Sequence, residues 1–436
     1  MKVKIPLHAR ILSGMVIGIL AGFICQEAGV PPDTLKEISS WVKPIGDIFM
    51  RLIFMMVIPL ILSALTLGIA ELGDLQRIGR IGLKTLVYTL IVTGISVVIG
   101  ITAVQIFRPG DSISPLEREQ LIAQYSDKYT VISENVSKAK ERNALETLVQ
   151  IIPKNPLEDM VRAFDPTYTG GGLLSVMFLS VMLGIALSAA DQEKTKYFKG
   201  LLEGLYELVM KIIGYAMWFA PFGVASLMFV LTANLGYSIL LMLFNYVWVV
   251  LLALAVHQFG TYSLAVKFLG GMSPLFFFGK IREVMLTAFA TSSSNATLPD
   301  AIRVSVTKLK LPKEIAHFVL TVGSTANQNG TALYEGITVL FLAQVFGVDL
   351  SLTQQLMVVL MSVLAGVGTA GVPGGSLPLI VMVLISVGVP GESIALIYGV
   401  DRILDMSRTV LNVTGDITAA VVVSKSEGEL PEGALS

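Results

Sequence analysis

The chain has 436 residues, 54% of them apolar and only 14% charged, with a formal net charge of −1. Soluble domains run at roughly 45–50% apolar and 25% charged, so this composition describes a polytopic membrane protein and excludes a soluble enzyme with a large core. Balanced charge leaves no basic footprint for nucleic acid, and one cysteine (Cys25), three histidines and no HExxH or GxSxG pattern leave no disulfide, zinc site or hydrolase centre to build on.

The first six residues, carrying Lys2 and Lys4, lead into an apolar run from Ile11 with no small-residue cleavage site after it. That predicts a first transmembrane helix, not a signal peptide. Apolar stretches follow at 43–70, 83–107, 171–190, 200–233 and 237–268, most of them reaching the ~20 residues a bilayer span requires. Residues 108–165 hold 18 of the 63 charged side chains and predict an aqueous loop with a short helix around 138–150. Lysine and arginine cluster at Lys2, Lys4 and Arg10, at Arg77, Arg80 and Lys84, at Lys194, Lys196 and Lys199, and at Lys308, Lys310 and Lys313. The alternate loops are poor in them, so both termini are expected in the cytoplasm and 108–165 outside.

From 273 onward the chain stays apolar but is broken by polar, glycine-rich patches: TSSSNATLP (291–299), GSTANQNGT (323–331) and GVGTAGVPGGS (366–376). Unpaired backbone groups in hydrocarbon cost several kcal/mol each, so such patches survive only where protein buries them or where they line a cavity. The order reads as two copies of a re-entrant hairpin followed by a spanning helix, the pattern that marks a transporter site at an inverted-repeat interface. Pro299 and Pro378 are expected near the first turns of the helices that follow, whose N-termini would face an anion.

Residues 394–423 predict one apolar helix carrying Asp401, Arg402, Asp405, Arg408, Asn412 and Asp416. Positions 401, 405, 408, 412 and 416 fall on one face. A charge at bilayer depth costs about 2.5–3.5 kcal/mol even on insertion scales. Two readings stand. The stripe is an internal salt-bridge ladder, or it binds a ligand and a cation. The second accounts for Asp416, which has no local basic partner, because hard cations take oxygen ligands. Arg408 offers a planar fork suited to a carboxylate.

The segments SSSNATLP, NQNGTALYEG, AGVPGG and DRILDMSRTVLNVTGD, in that order, with PIGDIFMRLIFMMVIPLI in the second span, resemble the glutamate/aspartate transporter family of dicarboxylate/amino acid:cation symporters. The resemblance covers essentially the whole chain. It implies an all-α membrane protein of eight transmembrane helices plus two re-entrant helical hairpins, built as inverted repeats and working as a homotrimeric elevator-type transporter. Residues 1–82 would hold scaffold spans 1 and 2, 83–107 span 3 of the transport domain, and 108–165 the extracellular loop. Scaffold spans 4 and 5 would occupy 166–234, and 426–436 a cytoplasmic tail. The rest of the transport domain would occupy 235–425, with hairpin 1 at about 273–309 opening inward and hairpin 2 at about 355–388 as the outer gate.

The function implied is a secondary active symporter, not an enzyme, that imports aspartate or glutamate with cations across the cell's inner (plasma) membrane. It would use no enzymatic cofactor, only sodium ions and/or protons, and no nucleic acid. Alternatives are a C4-dicarboxylate or neutral amino acid symporter or, from another class, an anion-conducting channel or a receptor.

Carried over by position, Arg408 would take a side-chain carboxylate of the substrate and Asp405 its amino group. Thr409 and Asn412 would reach the α-carboxylate and amino group, Ser293, Ser294, Asn295 and Val372 would supply backbone contacts, and Thr331 would lie beside the side-chain carboxylate. One sodium would use carbonyls of Gly323, Asn327 and Asn412 with the carboxylate of Asp416. A second would use backbone of Thr325, Gly366 and Thr369.

The third site departs from the family. Its usual NMDGT reads Asn327-Gln328-Asn329-Gly330-Thr331 here, so an aspartate has become Asn329. The third-span residues facing it are Tyr88, Thr89, Val92 and Thr93, where another tyrosine and a threonine–serine pair are expected. The implied third sodium is therefore lost. Glu335 stands where proton-coupled animal members carry their proton-bearing glutamate, and is either that group or a structural acid hydrogen-bonded or paired with Arg402. Ser292 replaces the arginine of archaeal members, and Arg402 is expected to reach toward the first hairpin in its place.

Overall fold

Between Arg10 and Glu27 the chain carries no charge, and it forms helix α1, Leu7–Glu27. The computed structural model describes residues 7–70, 80–124, 152–163, 165, 168, 172–235, 237–368 and 376–430. Every regular element among the described residues is helical.

Helix α2, Pro32–Phe54, opens on proline, whose missing N–H costs nothing in a first turn. It breaks at Met55–Met56, and the chain resumes as the short helix Val57–Leu60 and a π-helical turn at Ile61–Leu65. The stretch expected as one span from 43 therefore begins eleven residues earlier and is interrupted. Helix α3 spans Arg80–Phe107, α4 Leu173–Ala189 and α5 Gln192–Leu235. At ~1.5 Å per residue α5 is about twice as long as a ~30 Å hydrocarbon core is thick. Its charges fall in the first half, from Glu193 to Lys211, which projects beyond the apolar half. Helix α6, Tyr237–Val256, runs on through π-helical turns at His257–Thr261 and Ala265–Leu269. The helix expected around 138–150 lies outside the described residues.

Among the described residues, five helical stretches are long and apolar enough to cross a membrane: Ala9–Glu27, Asp33–Ala70, Arg80–Ser112, Gln192–Asn234 and Tyr237–Leu269. Their outward faces are apolar, with Ile17, Ile91, Trp218 and Phe244 exposed. A surface of that kind over several helices is the surface of an integral membrane protein.

Helix α1 packs along α5, and α2 packs on α5 from another side. Gly14, Gly18 and Gly22, four residues apart, face the α5 carbonyls of Pro221, Ala225 and Phe229 so closely that a Cβ on any of them would enter the oxygen's van der Waals shell. Small residues at this spacing let two backbones approach, the usual device where lipid removes the hydrophobic drive.

The second half builds the site. Helices α7, Pro274–Thr291, and α8, Ser294–Thr307, form a hairpin. The turn is made by Ser292 at φ 51°, and the Ser293 side chain caps α8 by accepting from Ala296 N–H at 3.2 Å. Because α8 already starts at Ser294, Pro299 lies inside the helix and not in its first turn, a correction to the expected boundary. Helices α9, Lys313–Ala326, and α10, Asn329–Val345, are two parts of one interrupted segment. The break is at Asn327 (φ −105°, ψ 72°) and Gln328 (φ −102°, ψ 53°), neither of them helical. A further helix pair follows, α11, Leu352–Gly368, and α12, Leu377–Ser386, and then α13, Tyr398–Ser426.

Helix α10 is apolar on all sides and buried almost throughout, packed against α3, α11 and α13. A helix of that pattern belongs in a core. Helices α7 and α9 close on α13 from other directions.

Candidate functional site

The polar face of α13 is buried. Asp401, Arg402, Asp405, Arg408, Thr409, Asn412 and Asp416 are all removed from the surface. The first four form one charge network. Arg408 donates to Asp405 Oδ1 from Nε at 3.0 Å and from Nη2 at 2.8 Å, and its Nη1 lies 3.6 Å from Asp401 Oδ1. Tyr334 of α10 donates its hydroxyl to Asp401 at 2.7 Å, and its ring lies under the guanidinium, 4.4 Å from the centroid. Arg402 Nη1 donates to Asp405 Oδ2 at 3.1 Å. Thr409 turns its hydroxyl onto the Asp405 carbonyl at 2.8 Å, a bond inside its own helix.

Two positive and two negative side chains thus balance, and the salt-bridge ladder left open by the sequence is present. It is not closed. Arg408 Nη1 is buried and has no hydrogen-bond partner among the described residues. A buried donor left so costs about 1–3 kcal/mol, which a ligand oxygen would relieve. The cation–π contact on Tyr334 adds a second hold on the guanidinium plane.

One turn further, Asn412 reaches the break between α9 and α10. Its Oδ1 accepts from Gly330 N–H at 2.7 Å, and its Nδ2 donates to Gln328 Oε1 at 2.5 Å and Thr331 Oγ1 at 3.2 Å. Gly330 sits against the backbone of Arg408, where a side chain would collide with the Arg408 carbonyl. So Thr331, far from them in sequence, is brought to Asn412 and Arg408 because α10 begins where α13 passes.

Below them, Asp416 Oδ1 accepts from Asn327 Nδ2 at 2.8 Å, and Gly323 leaves room for that carboxylate. The amide oxygen of Asn327 is buried without a partner among the described residues. Carboxylate, orphaned amide oxygen and helix-end carbonyls make an all-oxygen cradle of the kind a hard cation takes. Gly366 packs near Ala332 and Gln328, and Thr325 donates to the Val322 carbonyl at 3.0 Å. Thr369 and Val372 lie outside the described residues.

Where the third cation was expected, the groups satisfy one another. Asn329 Oδ1 accepts from Thr93 Oγ1, Asn329 Nδ2 donates to Tyr262 Oη at 3.0 Å, and the Asn329 carbonyl accepts from Ser96 at 2.9 Å. Tyr262 passes its own proton to the Leu411 carbonyl at 3.0 Å. Thr89 and Val92 are buried beside this group on α3. Among the described residues no carboxylate hydrogen-bonds to this set.

Glu335 sits in the middle of α10 with no exposure at all, and neither carboxylate oxygen has a hydrogen-bond partner among the described residues. The alternative reading of Glu335 as a structural acid paired with Arg402 is not met, because Arg402 donates to Asp405. Nor does Arg402 reach the first hairpin. It faces Ile11 of α1 and Met217, Ala220 and Val224 of α5. The i,i+3 spacing to Asp405 keeps it on its own helix. At the hairpin turn, Ser294 is buried and Asn295 exposed, and both arms pack on α13.

Tyr334, Tyr262 and Gln328 were not assigned roles from the sequence. Tyr334 does carry a signal, since it stands three residues after Thr331 in the motif and shares its face. Tyr262 carries none: its place beside Asn329 comes from how α6 continues past His257.

A helical membrane protein with a buried, charge-balanced pocket at broken helices has the build of a solute carrier. The chain belongs to the Sodium:dicarboxylate symporter family, whose model matches residues 7–426. It is 35% identical to a "Proton/sodium-glutamate symport protein" of Bacillus caldotenax, over 98% of this chain and 96% of that protein. It is 33% identical to a "Proton/glutamate-aspartate symporter" of Escherichia coli (strain K12), over 98% and 94%. To a "C4-dicarboxylate transport protein" of Bacillus subtilis (strain 168) it is 31% identical, over 99% and 96%.

Proposed function

We propose that this protein is a secondary active symporter that imports an acidic amino acid, aspartate or glutamate, together with cations across the plasma membrane. One observation carries the reading: Arg408, whose buried Nη1 makes no hydrogen bond among the described residues and lies 3.6 Å from Asp401, stands beside Asp405 in a pocket closed by Tyr334. An arginine fork and a carboxylate side by side complement a ligand carboxylate and a ligand ammonium. A C4-dicarboxylate has no ammonium to use Asp405, and a neutral amino acid has no second carboxylate to use Arg408. Relatives named for glutamate and aspartate support the same choice.

The ligand's side-chain carboxylate takes Arg408 away from Asp405, and the freed oxygen of Asp405 accepts from its ammonium. Thr409 and Asn412 reach the α-carboxylate and amino group, Thr331 lies beside the side-chain carboxylate, and Ser293, Ser294, Asn295 and Val372 supply backbone contacts. One sodium ion is held by Asp416 with Gly323, Asn327 and Asn412, and a second by backbone of Thr325, Gly366 and Thr369. The third is replaced by the neutral Thr93–Asn329–Tyr262 set. A dry, unpartnered carboxyl holds a proton at less cost than a charge, and Glu335 carries a proton in this scheme. The whole works as eight spans and two hairpins in a homotrimer with both termini cytoplasmic, an elevator in which the domain ending in α13 moves against α1, α2, α4 and α5.

Uptake into proteoliposomes under separate sodium and proton gradients tests the scheme. Accumulation of aspartate, resisted by neither succinate nor serine, is the expected result, with the proton-driven part lost in Glu335→Gln. Current without accumulation would overturn it in favour of a channel. Uptake driven by sodium alone and unchanged in Glu335→Gln would remove the proton.

A further inference from the structure

Arg402 has no part in the scheme above, yet it is the second cation on Asp405. The two arginines divide that carboxylate between them. Oδ1 accepts both bonds from Arg408, at 3.0 and 2.8 Å, while Oδ2 accepts from Arg402 Nη1 at 3.1 Å. Arg402 lines a small cavity together with Ile11 of α1 and Met217, Ala220 and Val224 of α5. Its side chain is 9% exposed, and its Nε has no partner among the described residues. Among the described residues that line this cavity the other carboxylate is Asp401, which Tyr334 and Arg408 already hold.

The two arginines are not equivalent to a ligand. A carboxylate arriving at Arg408 can draw it off and free Oδ1. It cannot draw off Arg402, which lies behind Asp405 against the α1–α5 face. An ammonium that then binds Asp405 meets a carboxylate with one oxygen still bonded to a guanidinium. The two cations share one anion and repel each other across it, more strongly in a buried site than in water. A dicarboxylate without an amino group makes no use of Asp405 and is spared that repulsion.

We infer that Arg402 is a specificity-determining positioning residue: by holding Asp405 from behind it weakens the advantage of a dicarboxylate that bears an ammonium over one that does not. This rests on the reading of Asp405 as the ammonium partner. It makes selectivity for an amino acid a property of three side chains, Arg402, Asp405 and Arg408. Arg402 never touches the ligand.

The test uses the full chain, wild type and with Arg402→Met, Arg402→Gln or Arg402→Lys. Dissociation constants for aspartate and for succinate are measured separately, from ligand-induced shifts in unfolding temperature. Methionine fits the apolar wall that the arginine stem now covers, and glutamine keeps a polar head there, so two neutral variants guard against a misfolded one. The expected result is a succinate-to-aspartate ratio of dissociation constants at least tenfold larger in the Met and Gln variants, with Lys within threefold of wild type. A merely structural Arg402 would move both constants together and leave the ratio alone. A ratio within threefold of wild type in both neutral variants, or a smaller one, would overturn the inference. A wild type that binds succinate more tightly than aspartate would instead overturn the acidic amino acid reading, and the change in ratio would still decide the role of Arg402.

Discussion

Replacing Gly323 by alanine is the sharpest perturbation of the proposed sodium site. A Cβ at this position would lie 2.8 Å from Asp416 Cγ and 3.1 Å from Asp416 Cβ. Ordinary carbon–carbon contacts fall at roughly 3.5–4.0 Å, so the carboxylate must retreat by about 0.7 Å or more. It cannot do so and keep the 2.8 Å bond from Asn327. Overpacking costs about 1–3 kcal/mol, and a hydrogen bond to a charged group contributes about 1.5–3 kcal/mol. The low end of their sum, about 2.5 kcal/mol, weakens sodium binding by roughly 60-fold at 1.4 kcal/mol per factor of ten. Helix propensity by itself favours alanine over glycine by about 1 kcal/mol, so the variant should fold. The measurement is the sodium concentration giving half-maximal aspartate uptake in proteoliposomes. A value within threefold of wild type in a folded variant would show that the Asp416 cradle does not bind the coupling ion.

Asp405→Asn leaves both arginines without their carboxylate and removes the ammonium partner. Truncating one partner of a buried charge pair costs about 2–5 kcal/mol, so aspartate affinity should fall at least 30-fold while succinate affinity falls less, as read in competition binding. Gly18→Ala places a methyl against the Ala225 carbonyl in the tightest part of the α1–α5 contact. A loss of about 1–3 kcal/mol should appear as a lower unfolding temperature with ligand affinity unchanged. At the end of α13, hydrogen bonds from Lys84, at 2.7 Å, and from Arg80 hold the Glu427 carboxyl below the usual glutamate range. A folded pKa below the unfolded one gives stability that is fully present above the usual value, about 4.3, and is lost as the pH falls through the folded one. Thermal unfolding of wild type should therefore weaken across that acid window more steeply than in Glu427→Gln.

Much of the fold was legible from composition alone, because a bilayer forces each span to be a charge-free run of fixed length. The apolar runs at 11–26 and 83–107 fall inside Leu7–Glu27 and Arg80–Phe107 for that reason, with the helix ends, including Arg80 and Lys84, lying outside those runs or at their edge. The stripe on α13 was equally legible, since a helix period places 401, 405, 408, 412 and 416 on one face wherever the helix goes. Boundaries were less so. Pro299 suggested a helix start, but the Ser293 cap starts α8 five residues earlier.

What the sequence by itself determined is which charges lie at membrane depth and on which helical face they stand, because periodicity and the cost of burying charge are local facts. Partners are not local. That Tyr334 of α10 donates to Asp401, that Glu335 is left without a hydrogen-bond partner among the described residues, and that Tyr262 closes the set around Asn329 were decided only when α6, α10 and α13 packed together. The distance between side chains on different helices depends on the crossing of the helices, and no spacing within one of them encodes it.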